Sequence, residues 1–437
     1  MDTFLQIVIV WFVTPFLLLS SFYLSVRLGW PQFCRIGQAF RRVLAKNGRG
    51  GGWRFGNFSA VAMTVGGNLG AGTIAGTALA IKIGGPGAIL WMVIVALLGG
   101  VIKLCCASLG ALYQERRSGN EPAGGVMFYM SKGLSSFSLG AIYAIFLLGT
   151  ALTAGNFVQV HAFVSSLPTT MPAGRTIAIL LLLVPTAYVV CGGLRRLSRF
   201  MCVSVPIIAC VHLAACIIGI VLMRNNIIPV LANIVRGAVA PTAIVGGAGG
   251  AAILATIQAG ILRGLFATDV GQGLAAIAHG RVEANRRSLQ DHAREQGIIA
   301  LLSPLIVAIV CAVTGVLILC AAPNFQQGAS EICVQAFQTA FRSDLAGWFV
   351  PVIIYFFAIT TIIAWSWFAD HAFHFFHTPR LGGIFRVAFI ALLPVGAFMR
   401  SSLPWMLADI CVVVLVLTNI FSILALRKKM TSLYAES

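Results

Sequence analysis

Two glycine-rich stretches place polar groups inside otherwise apolar segments of the sequence. One reads T-V-G-G-N-L-G-A-G-T-I-A-G from Thr64 to Gly76; the other reads R-G-L-F-A-T-D-V-G-Q-G from Arg263 to Gly273, shortly after a glycine run that starts at Gly246. An unwound helix inside a membrane leaves backbone N–H and C=O groups without internal partners. The freed N–H groups attract a carboxylate and the freed carbonyls suit a cation such as Na⁺. The alternative is that these small residues only permit close helix packing.

The segments that carry these stretches are predicted to be membrane helices. Of the 437 residues, 59% are hydrophobic and 10% are charged, whereas soluble domains carry roughly a quarter charged residues. Each apolar run is long enough to cross a hydrocarbon layer of about 30 Å. We therefore predict an all-α polytopic membrane protein with about eleven transmembrane helices. Their predicted limits are 4–26, 57–81, 87–113, 137–166, 176–193, 199–223, 244–279, 296–322, 346–372, 384–400 and 405–426. No cleaved signal peptide is expected at the first run.

The two glycine-interrupted spans open two successive groups of five spans. Interruptions at matching places in two halves are typical of an inverted-repeat transporter, with its binding site at the interruptions. We predict an N-terminal helix with a cytoplasmic segment over 1–56, five-helix repeats over 57–223 and 244–426, and a cytoplasmic tail over 427–437. The stretch from Trp30 to Arg54 is either an amphipathic helix on the inner leaflet or a solvated linker.

Basic residues predict the orientation. The net charge is +18, and with the N-terminus outside, the inside segments hold 21 basic residues against five in the outside loops. This positive-inside bias predicts an external N-terminus and a cytoplasmic C-terminus. It also explains the excess of basic residues better than a nucleic-acid-binding surface does. The protein is expected in a plasma membrane, in particular a bacterial inner membrane. No nucleic-acid partner is expected.

A family resemblance adds to this pattern. The stretch G-A-G-T-I-A-G-T-A-L-A-I-K-I-G-G-P-G-A-I-L-W-M over 70–92 resembles the signature of the sodium:alanine (alanine/glycine:cation) symporter family. The resemblance continues at Lys103, G-G-V-M-F-Y (124–129), G-N-F-V-Q (155–159), R-G-L-F-A-T-D-V-G-Q-G (263–273), T-I-I-A-W-S-W-F-A-D (361–370) and L-A-D (407–409). It implies a leucine-transporter-type fold, a five-plus-five inverted repeat preceded by one extra helix. The implied function is sodium-coupled symport of alanine or glycine by alternating access.

The resemblance also implies a set of site residues. Those implied to contact the substrate are Ala71, Gly72, Thr73, Gln159, Phe266, Ala267, Thr268, Thr361 and Trp365. Those implied in ion coupling or gating are Asp269, Thr73 and Thr360. Na⁺ is the expected co-transported ion, with H⁺ as the alternative, and no cofactor or resident metal is expected. The oligomeric state stays open.

The sequence departs from the family pattern near this site. The family's Thr-Gly-Asn is Ala71-Gly72-Thr73 here, its Ser-Asn-Glu is Ala267-Thr268-Asp269, and a family glutamate is Cys106. The alternative function is therefore the same fold with an altered substrate, or with proton-coupled or uncoupled transport. Asp269 is interpreted either as an ion-coupling carboxylate or as a structural ion pair or helix cap.

Other acids and bases in the spans have simpler interpretations. Lys103 and Arg263 are candidate partners for intramembrane acids, including Asp409. His371, His374 and His377 partly share a helix face, but no Cys or Glu accompanies them as a second ligand set, so a non-ligating role is favoured.

Other classes of function lack their motifs in this sequence. No G-x-S-x-G, H-E-x-x-H or P-loop is present, so an enzyme is not expected. A channel would need rings of like groups around a pore, and none is visible.

Overall fold

The chain folds almost entirely into helices. A computed structural model describes residues 8–44, 55–116, 122–167, 174–239, 249–284, 288–399 and 403–435. Within these ranges, eight helices are long and apolar enough to cross a membrane, and three shorter apolar helices accompany them. The predicted class, an all-helical polytopic membrane protein, is confirmed. In the same ranges, β structure is confined to an antiparallel pair of two-residue strands, β1 (Glu115–Arg116) and β2 (Pro122–Ala123).

The first half of the chain contains eleven helices within the described ranges. They are α1 (Ile9–Arg27), α2 (Pro31–Cys34), α3 (Ile36–Leu44), α4 (Asn57–Asn68), α5 (Ala71–Gly84), α6 (Ala88–Leu112), α7 (Val126–Gly133), α8 (Phe137–Ser166), α9 (Gly174–Val190), α10 (Gly193–Leu222) and α11 (Ile227–Val239). Helix α8 contains a five-residue π-helical turn at Thr153–Phe157.

The second half follows the same plan. Its helices are α12 (Gly249–Thr268), α13 (Leu274–His279), α14 (Leu289–Ala321), α15 (Ala329–Phe341), α16 (Asp344–Phe375), α17 (Pro379–Phe398), α18 (Leu403–Ala425) and α19 (Arg427–Ala435). Among the eight long apolar helices, α6 and α16 are the most enclosed. In each of them, 67% of the most apolar 18-residue stretch is buried inside the protein. These two helices form the inner wall against which both interrupted segments pack.

Helices occupy all eleven stretches predicted to span the membrane. Besides α7 and α19, which lie in a loop and the tail predicted on the cytoplasmic side, two further helices lie in loops predicted to face outward. Helix α11 buries Val230, Ile234 and Ala238, which recur every four residues and so share one face. Helix α15 is the second. Of the stretch from Trp30 to Arg54, the part up to Leu44 forms α2 and α3, and the remainder lies outside the described residues.

Both predicted interruptions are present as breaks between helices. Helices α4 and α5 are separated by Leu69 and Gly70, and α12 and α13 are separated by residues 269–273. The residues at 246–248, which begin the glycine run before α12, lie outside the described residues. Each break leaves backbone groups that no helix satisfies, and these groups define the candidate site below.

Some of the glycines near the second break serve helix packing instead. A methyl group at Gly260 would lie 2.5 Å from the carbonyl oxygen of Ala88, and one at Gly264 would lie 2.5 Å from Val95. Because these glycines are four residues apart, they share the face of α12 that lies against α6. The packing interpretation of the small residues is therefore correct for this face.

The outer surface of the bundle is apolar. On α10, Val203, Ile207, Val211 and Ile218 are all about half exposed, with 48–56% of their surface accessible. Their spacing places them on one side of the helix, opposite buried residues such as Met201 and Val205. Such a continuous apolar face suits contact with lipid.

Candidate functional site

The last carbonyls of α4 are satisfied by side chains from α16. The Thr361 hydroxyl donates to the carbonyl oxygen of Gly66 at 2.9 Å, and the Trp365 indole N–H donates to that of Gly67 at 3.3 Å. Thr361 and Trp365 are four residues apart, so both reach the end of α4 from one face of α16. This face therefore fixes the first break in place.

The start of α5 is satisfied in the same way. The backbone N–H of Ala71 donates to Oε1 of Gln159 at 2.9 Å, and Nε2 of Gln159 donates to the carbonyl oxygen of Ala154 at 2.9 Å. The Thr73 hydroxyl donates back across the break to the carbonyl oxygen of Asn68 at 2.8 Å. The N-terminus of α5 thus lies beside the π-helical turn of α8, and a neutral side chain takes the first of its free N–H groups.

The second break has an unusual backbone. Asp269, Gly271 and Gly273 have φ values of +57°, +89° and +93°. Glycine adopts this region without steric cost, whereas for other L-residues it costs roughly 1 kcal/mol, and Asp is among those that tolerate it best. This turn brings the Asp269 carboxylate to the interior between the helices, where it is 3% exposed.

Two carbonyls of the second break also accept side-chain donors. Asn419 Nδ2 donates to the carbonyl oxygen of Gly271 at 2.7 Å, and the Tyr143 hydroxyl donates to that of Gln272 at 2.6 Å. Asn419 in turn accepts a hydrogen bond from the Tyr129 hydroxyl. Helices α7, α8 and α18 therefore hold the second break as α16 holds the first.

A buried polar cluster joins the two breaks. Nδ2 of Asn68 donates to the carbonyl oxygen of Thr268 and to Oγ of Ser303, both at 3.1 Å. The Lys103 ammonium on α6 donates to the same Ser303 hydroxyl at 3.2 Å and lies 3.9 Å from a carboxylate oxygen of Asp269. Lys103 and Asp269 are almost wholly buried, so this is an intramembrane ion pair.

A small cavity of about 20 Å³ lies between the two breaks. It is lined by Gly67, Asn68, Gly70, Gly72, Thr73, Ala154, Gln159, Phe266, Asp269, Gln272 and Trp365. This volume is enough for about one water molecule or a small ion. An amino acid does not fit until some of these side chains move.

Aromatic side chains separate this cavity from two larger ones, each of about 570 Å³. Phe266 packs on Trp405 with ring centroids 5.1 Å apart, and Trp405 lines the first of the larger cavities. Phe368 lies between Trp365 and Trp367, at 6.1 and 5.2 Å from their rings, and Trp367 lines the other large cavity. Aromatic side chains thus lie between the small cavity and each of the larger ones.

Comparison with known proteins identifies the family. The model of the sodium:alanine symporter family matches residues 1–436. The chain belongs to the sodium:alanine symporter family. Membership places it among sodium-coupled amino-acid symporters, and so among transporters rather than enzymes.

Several relatives match this chain over most of their length. A transporter of unknown substrate from Haemophilus influenzae is 30% identical over 425 residues, which cover 96% of this chain and 92% of the relative. A sodium/alanine symporter from Methanococcus maripaludis is 27% identical, with 94% and 90% covered. A probable sodium/glutamine symporter from Bacillus subtilis is 27% identical, with 85% and 76% covered.

A solved structure shares the fold. The crystal structure of a manganese transporter from Eremococcus coleocola superposes with a TM-score of 0.53 at 12% identity, covering 87% of this chain and 79% of that one. The likeness supports the leucine-transporter-type fold that the sequence resemblance implied. At this identity it concerns the fold alone.

Most of the predicted site residues meet at the small cavity. Gly72, Thr73, Gln159, Phe266, Asp269 and Trp365 line it. Ala71 donates to the lining residue Gln159, and Thr361 donates to Gly66, which precedes the lining residue Gly67 in the chain.

Three of the predicted residues are placed differently. Ala267 is buried in the general apolar core. The hydroxyls of Thr268 and Thr360 donate to carbonyls of their own helices, at 2.6 Å to Gly264 for Thr268, and at 3.1 and 3.0 Å to Phe356 and Phe357 for Thr360. Thr268 contributes only its carbonyl oxygen, which Asn68 binds.

The sequence reasoning missed four residues of the site. Asn68 and Gln272 are polar residues flanked by glycines within the two interruptions, and that position was the available signal. Ala154 lies in the π-helical turn of α8, which has no clear mark in the sequence. Trp405 covers Phe266 from α18, 139 positions away in the chain, and only the tertiary structure brings the two rings together.

The other intramembrane charges lie apart from the small cavity. Arg263 and Asp409 both line the larger cavity next to Trp405, and the Arg263 guanidinium lies 5.5 Å from the Trp405 ring centroid. Asp370 is paired with His374 at 3.3 Å and Arg386 at 3.4 Å, near the other large cavity. Among the described residues, no three His, Cys, Asp or Glu side chains converge as a metal cluster.

Proposed function

We propose that this protein is a sodium-coupled symporter of a small neutral amino acid, alanine or glycine, that works by alternating access. One observation carries the proposal: a small cavity with polar lining lies between two helix breaks, and aromatic side chains lie between it and two larger cavities. Such a site can open to one large cavity or to the other, as alternating access requires. Its volume of about 20 Å³ corresponds to a closed conformation. The names of the relatives support sodium as the ion and alanine as the substrate.

The substrate carboxylate is proposed to bind at the N-terminus of α5. The backbone N–H groups of Ala71 and Gly72 begin this helix, where the helix dipole favours a negative charge, whereas that of Thr73 donates to the carbonyl oxygen of Gly70 at 3.0 Å. Oε1 of Gln159 now accepts from Ala71 and must yield this N–H to the carboxylate. The ammonium group is proposed to bind to carbonyls at the second break, near Thr268.

The apolar side of the substrate is proposed to lie between Phe266 and Trp365. Both rings line the small cavity, and Phe266 closes it together with Trp405. Little space remains beside Gly72, where a methyl group would already lie 3.0 Å from the Phe266 ring. This restricts the site to amino acids with small side chains.

We propose that the chain crosses the plasma membrane eleven times, with its N-terminus outside and its C-terminus in the cytoplasm. The two larger cavities support it. One is lined by Arg116, Arg281, Arg386 and neighbours that belong mainly to segments predicted as cytoplasmic. The lining of the other includes Lys82 and Glu331, which belong to loops predicted to face outward.

The proposed domain organisation keeps the limits inferred from the sequence. An N-terminal helix and cytoplasmic segment precede two five-helix repeats, over 57–223 and 244–426, and a tail over 427–437 follows. The two breaks support it, because each occurs in the first span of its repeat. An inverted repeat would place the two breaks opposite each other.

The test is uptake of radiolabelled alanine and glycine into proteoliposomes, with an inward Na⁺ gradient or with choline in its place. We expect saturable uptake that collapses without Na⁺ and that excess unlabelled alanine inhibits. Uptake that ignores Na⁺ and follows a pH gradient would establish proton coupling in the same fold. Absence of alanine and glycine uptake from folded protein would reject the proposed substrate, and a screen of other amino acids would follow.

A further inference from the structure

Two arginines meet where α1 and α18 end, on the side of the protein that is proposed to face the cytoplasm. Arg27 is the last residue of α1, and its Nε donates to the Tyr23 hydroxyl, one turn earlier, at 3.3 Å. Arg427 begins α19, two residues after α18 ends, and interacts with the same hydroxyl. Both arginines are exposed, and within the described residues neither forms an ion pair with a carboxylate. Two like charges are thus held close together without an acid to compensate them.

The neighbours of this arginine pair indicate its depth in the membrane. Phe22 and Val26 on α1 and Phe421 on α18 are 55–58% exposed, so apolar side chains face the lipid just before both arginines. Trp30 follows Arg27 by three residues and packs edge-on against Phe22, with ring centroids 5.7 Å apart. Tryptophan is enriched at the level of the lipid headgroups. The two guanidinium groups therefore lie at the depth where lipid phosphates are found.

Most N–H groups of the two arginines are free to bind a ligand. A guanidinium group has five N–H donors. Arg27 uses only its Nε, and Nη1 of Arg427 donates to the carbonyl oxygen of Leu424 at the end of α18, at 3.0 Å, in the part of the chain that the structure describes. These hydrogen bonds hold both side chains in place before a ligand arrives. The remaining donors can therefore bind one anion from two sides.

The chemistry of the pair fits a lipid phosphate. Guanidinium groups bind phosphate oxygens through parallel N–H donors, and basic pockets between membrane helices on the cytoplasmic side suit anionic headgroups. We propose that Arg27 and Arg427 bind the headgroup of an anionic phospholipid of the inner leaflet, with Tyr23 between them. The ammonium group of a zwitterionic lipid would be repelled by the same two charges. The inference uses the proposed orientation and does not depend on the proposed substrate.

Such a lipid would connect the N-terminal helix to the end of the second repeat. Helix α1 contacts α6 and α18 through its buried face. A headgroup bound by Arg27 and Arg427 would add a second attachment between α1 and α18, at the surface of the membrane. Binding should therefore stabilise the folded protein.

The test is a lipid titration of the purified full-length protein. Delipidated protein in a neutral detergent is titrated with dioleoylphosphatidylglycerol or with dioleoylphosphatidylcholine, and the unfolding temperature is followed. A ligand that binds only the folded state raises this temperature in a saturable way. We expect phosphatidylglycerol to stabilise the wild type and phosphatidylcholine to be far less effective. Inorganic phosphate, a soluble source of the same chemistry, should not raise the temperature at the same concentration.

Two variants locate the site, and a third is the matched control. Arg27→Gln and Arg427→Gln each remove one guanidinium group and should raise the half-saturating concentration of phosphatidylglycerol about fivefold. The double variant should raise it about twentyfold. The control combines Lys428→Gln with Lys429→Gln. It removes the same charge from exposed positions on the same helix, but neighbouring positions do not share the helix face of Arg427. It should change the half-saturating concentration by less than about twofold.

The inference is overturned if phosphatidylcholine or inorganic phosphate stabilises the wild type as much as phosphatidylglycerol does. It is also overturned if the lysine control weakens the response to phosphatidylglycerol as much as the arginine double variant does, because diffuse surface charge would then explain the binding. If the double variant fails to fold, the two single variants decide. No amino-acid uptake enters this test, so its outcome is separate from that of the proposed function.

Discussion

Oε1 of Gln159 accepts a hydrogen bond of 2.9 Å from the backbone N–H of Ala71, the first residue of the helix that follows the first break. A side chain from α8 therefore caps a half-helix in the middle of the membrane. The same N–H is the one that a substrate carboxylate would seek. If the proposed carboxylate site is correct, the substrate must displace Gln159 from this N–H.

Gln159→Glu tests this competition. A carboxylate at this position would bind the positive end of α5 more strongly than the amide does, and it would repel the substrate carboxylate. We expect the KM for alanine to rise at least tenfold, while the unfolding temperature falls, because the variant also loses the hydrogen bond from Nε2 of Gln159 to the carbonyl oxygen of Ala154. Gln159→Leu should instead lower stability by about 1 kcal/mol, because it leaves the Ala71 N–H unpaired. An unchanged KM in the glutamate variant would argue against this carboxylate site.

Gly72→Ala tests the closure over α5. The new methyl group would lie 3.0 Å from Phe266 and 3.3 Å from Trp405, so the two rings must shift. We expect alanine uptake to fall at least tenfold, with glycine uptake less affected because glycine needs less room. Gly76→Ala is the matched control, since it lies on the same helix and a methyl group there meets nothing within 4 Å. Equal uptake by the two variants would contradict the proposed position of the substrate.

Thr361→Val tests the attachment of α16 to the first break. The substitution keeps the shape of the side chain but removes the hydrogen bond of 2.9 Å to the carbonyl oxygen of Gly66. We expect a loss of about 1 kcal/mol in stability and a severalfold fall in uptake. Thr360→Val is the control, because the Thr360 hydroxyl bonds only to carbonyls of its own helix. If Thr360→Val impairs Na⁺-dependent uptake more than Thr361→Val does, the role in ion coupling that the resemblance implied for Thr360 would gain support.

Lys103→Met tests the ion pair in the centre of the cluster. Removing one partner of a buried pair leaves the other charge uncompensated, which typically costs about 3–5 kcal/mol. If Na⁺ binds Asp269, high Na⁺ should restore part of this loss, and the variant should become more dependent on Na⁺ than the wild type. Unfolding temperatures in NaCl and in choline chloride measure the difference. A loss of stability that is equal in both salts would show that Lys103 and Asp269 form only a structural pair.

Hydropathy and glycine placement were enough to predict the helices and both breaks. The eleven apolar runs are each occupied by helix, and the interruptions at Gly70 and at Asp269–Gly273 occur where glycine allows the backbone to leave the helix. These features depend on local sequence, because backbone groups in lipid must be satisfied within the helix or at a marked break. The extra helix α11 was missed, since its buried face becomes visible only against its neighbours.

The contents of the site were only partly predictable. The sequence and its family resemblance pointed to Gln159, Thr361 and Trp365, but not to the backbone atoms that these side chains bind. Thr360 and Thr361 look alike in the sequence. The helix rotation decides that one hydroxyl reaches Gly66 while the other turns back on its own helix.

Composition and the two glycine stretches by themselves determined the membrane class and the places where helices break. Only the tertiary structure decided that Asn68, Asp269 and Gln272 face one cavity and that Lys103 lies beside them. The reason is physical: hydropathy and backbone freedom act between neighbours in the chain. The lining of this cavity depends on side chains that are some two hundred residues apart in the sequence and are brought together by the packing of whole helices.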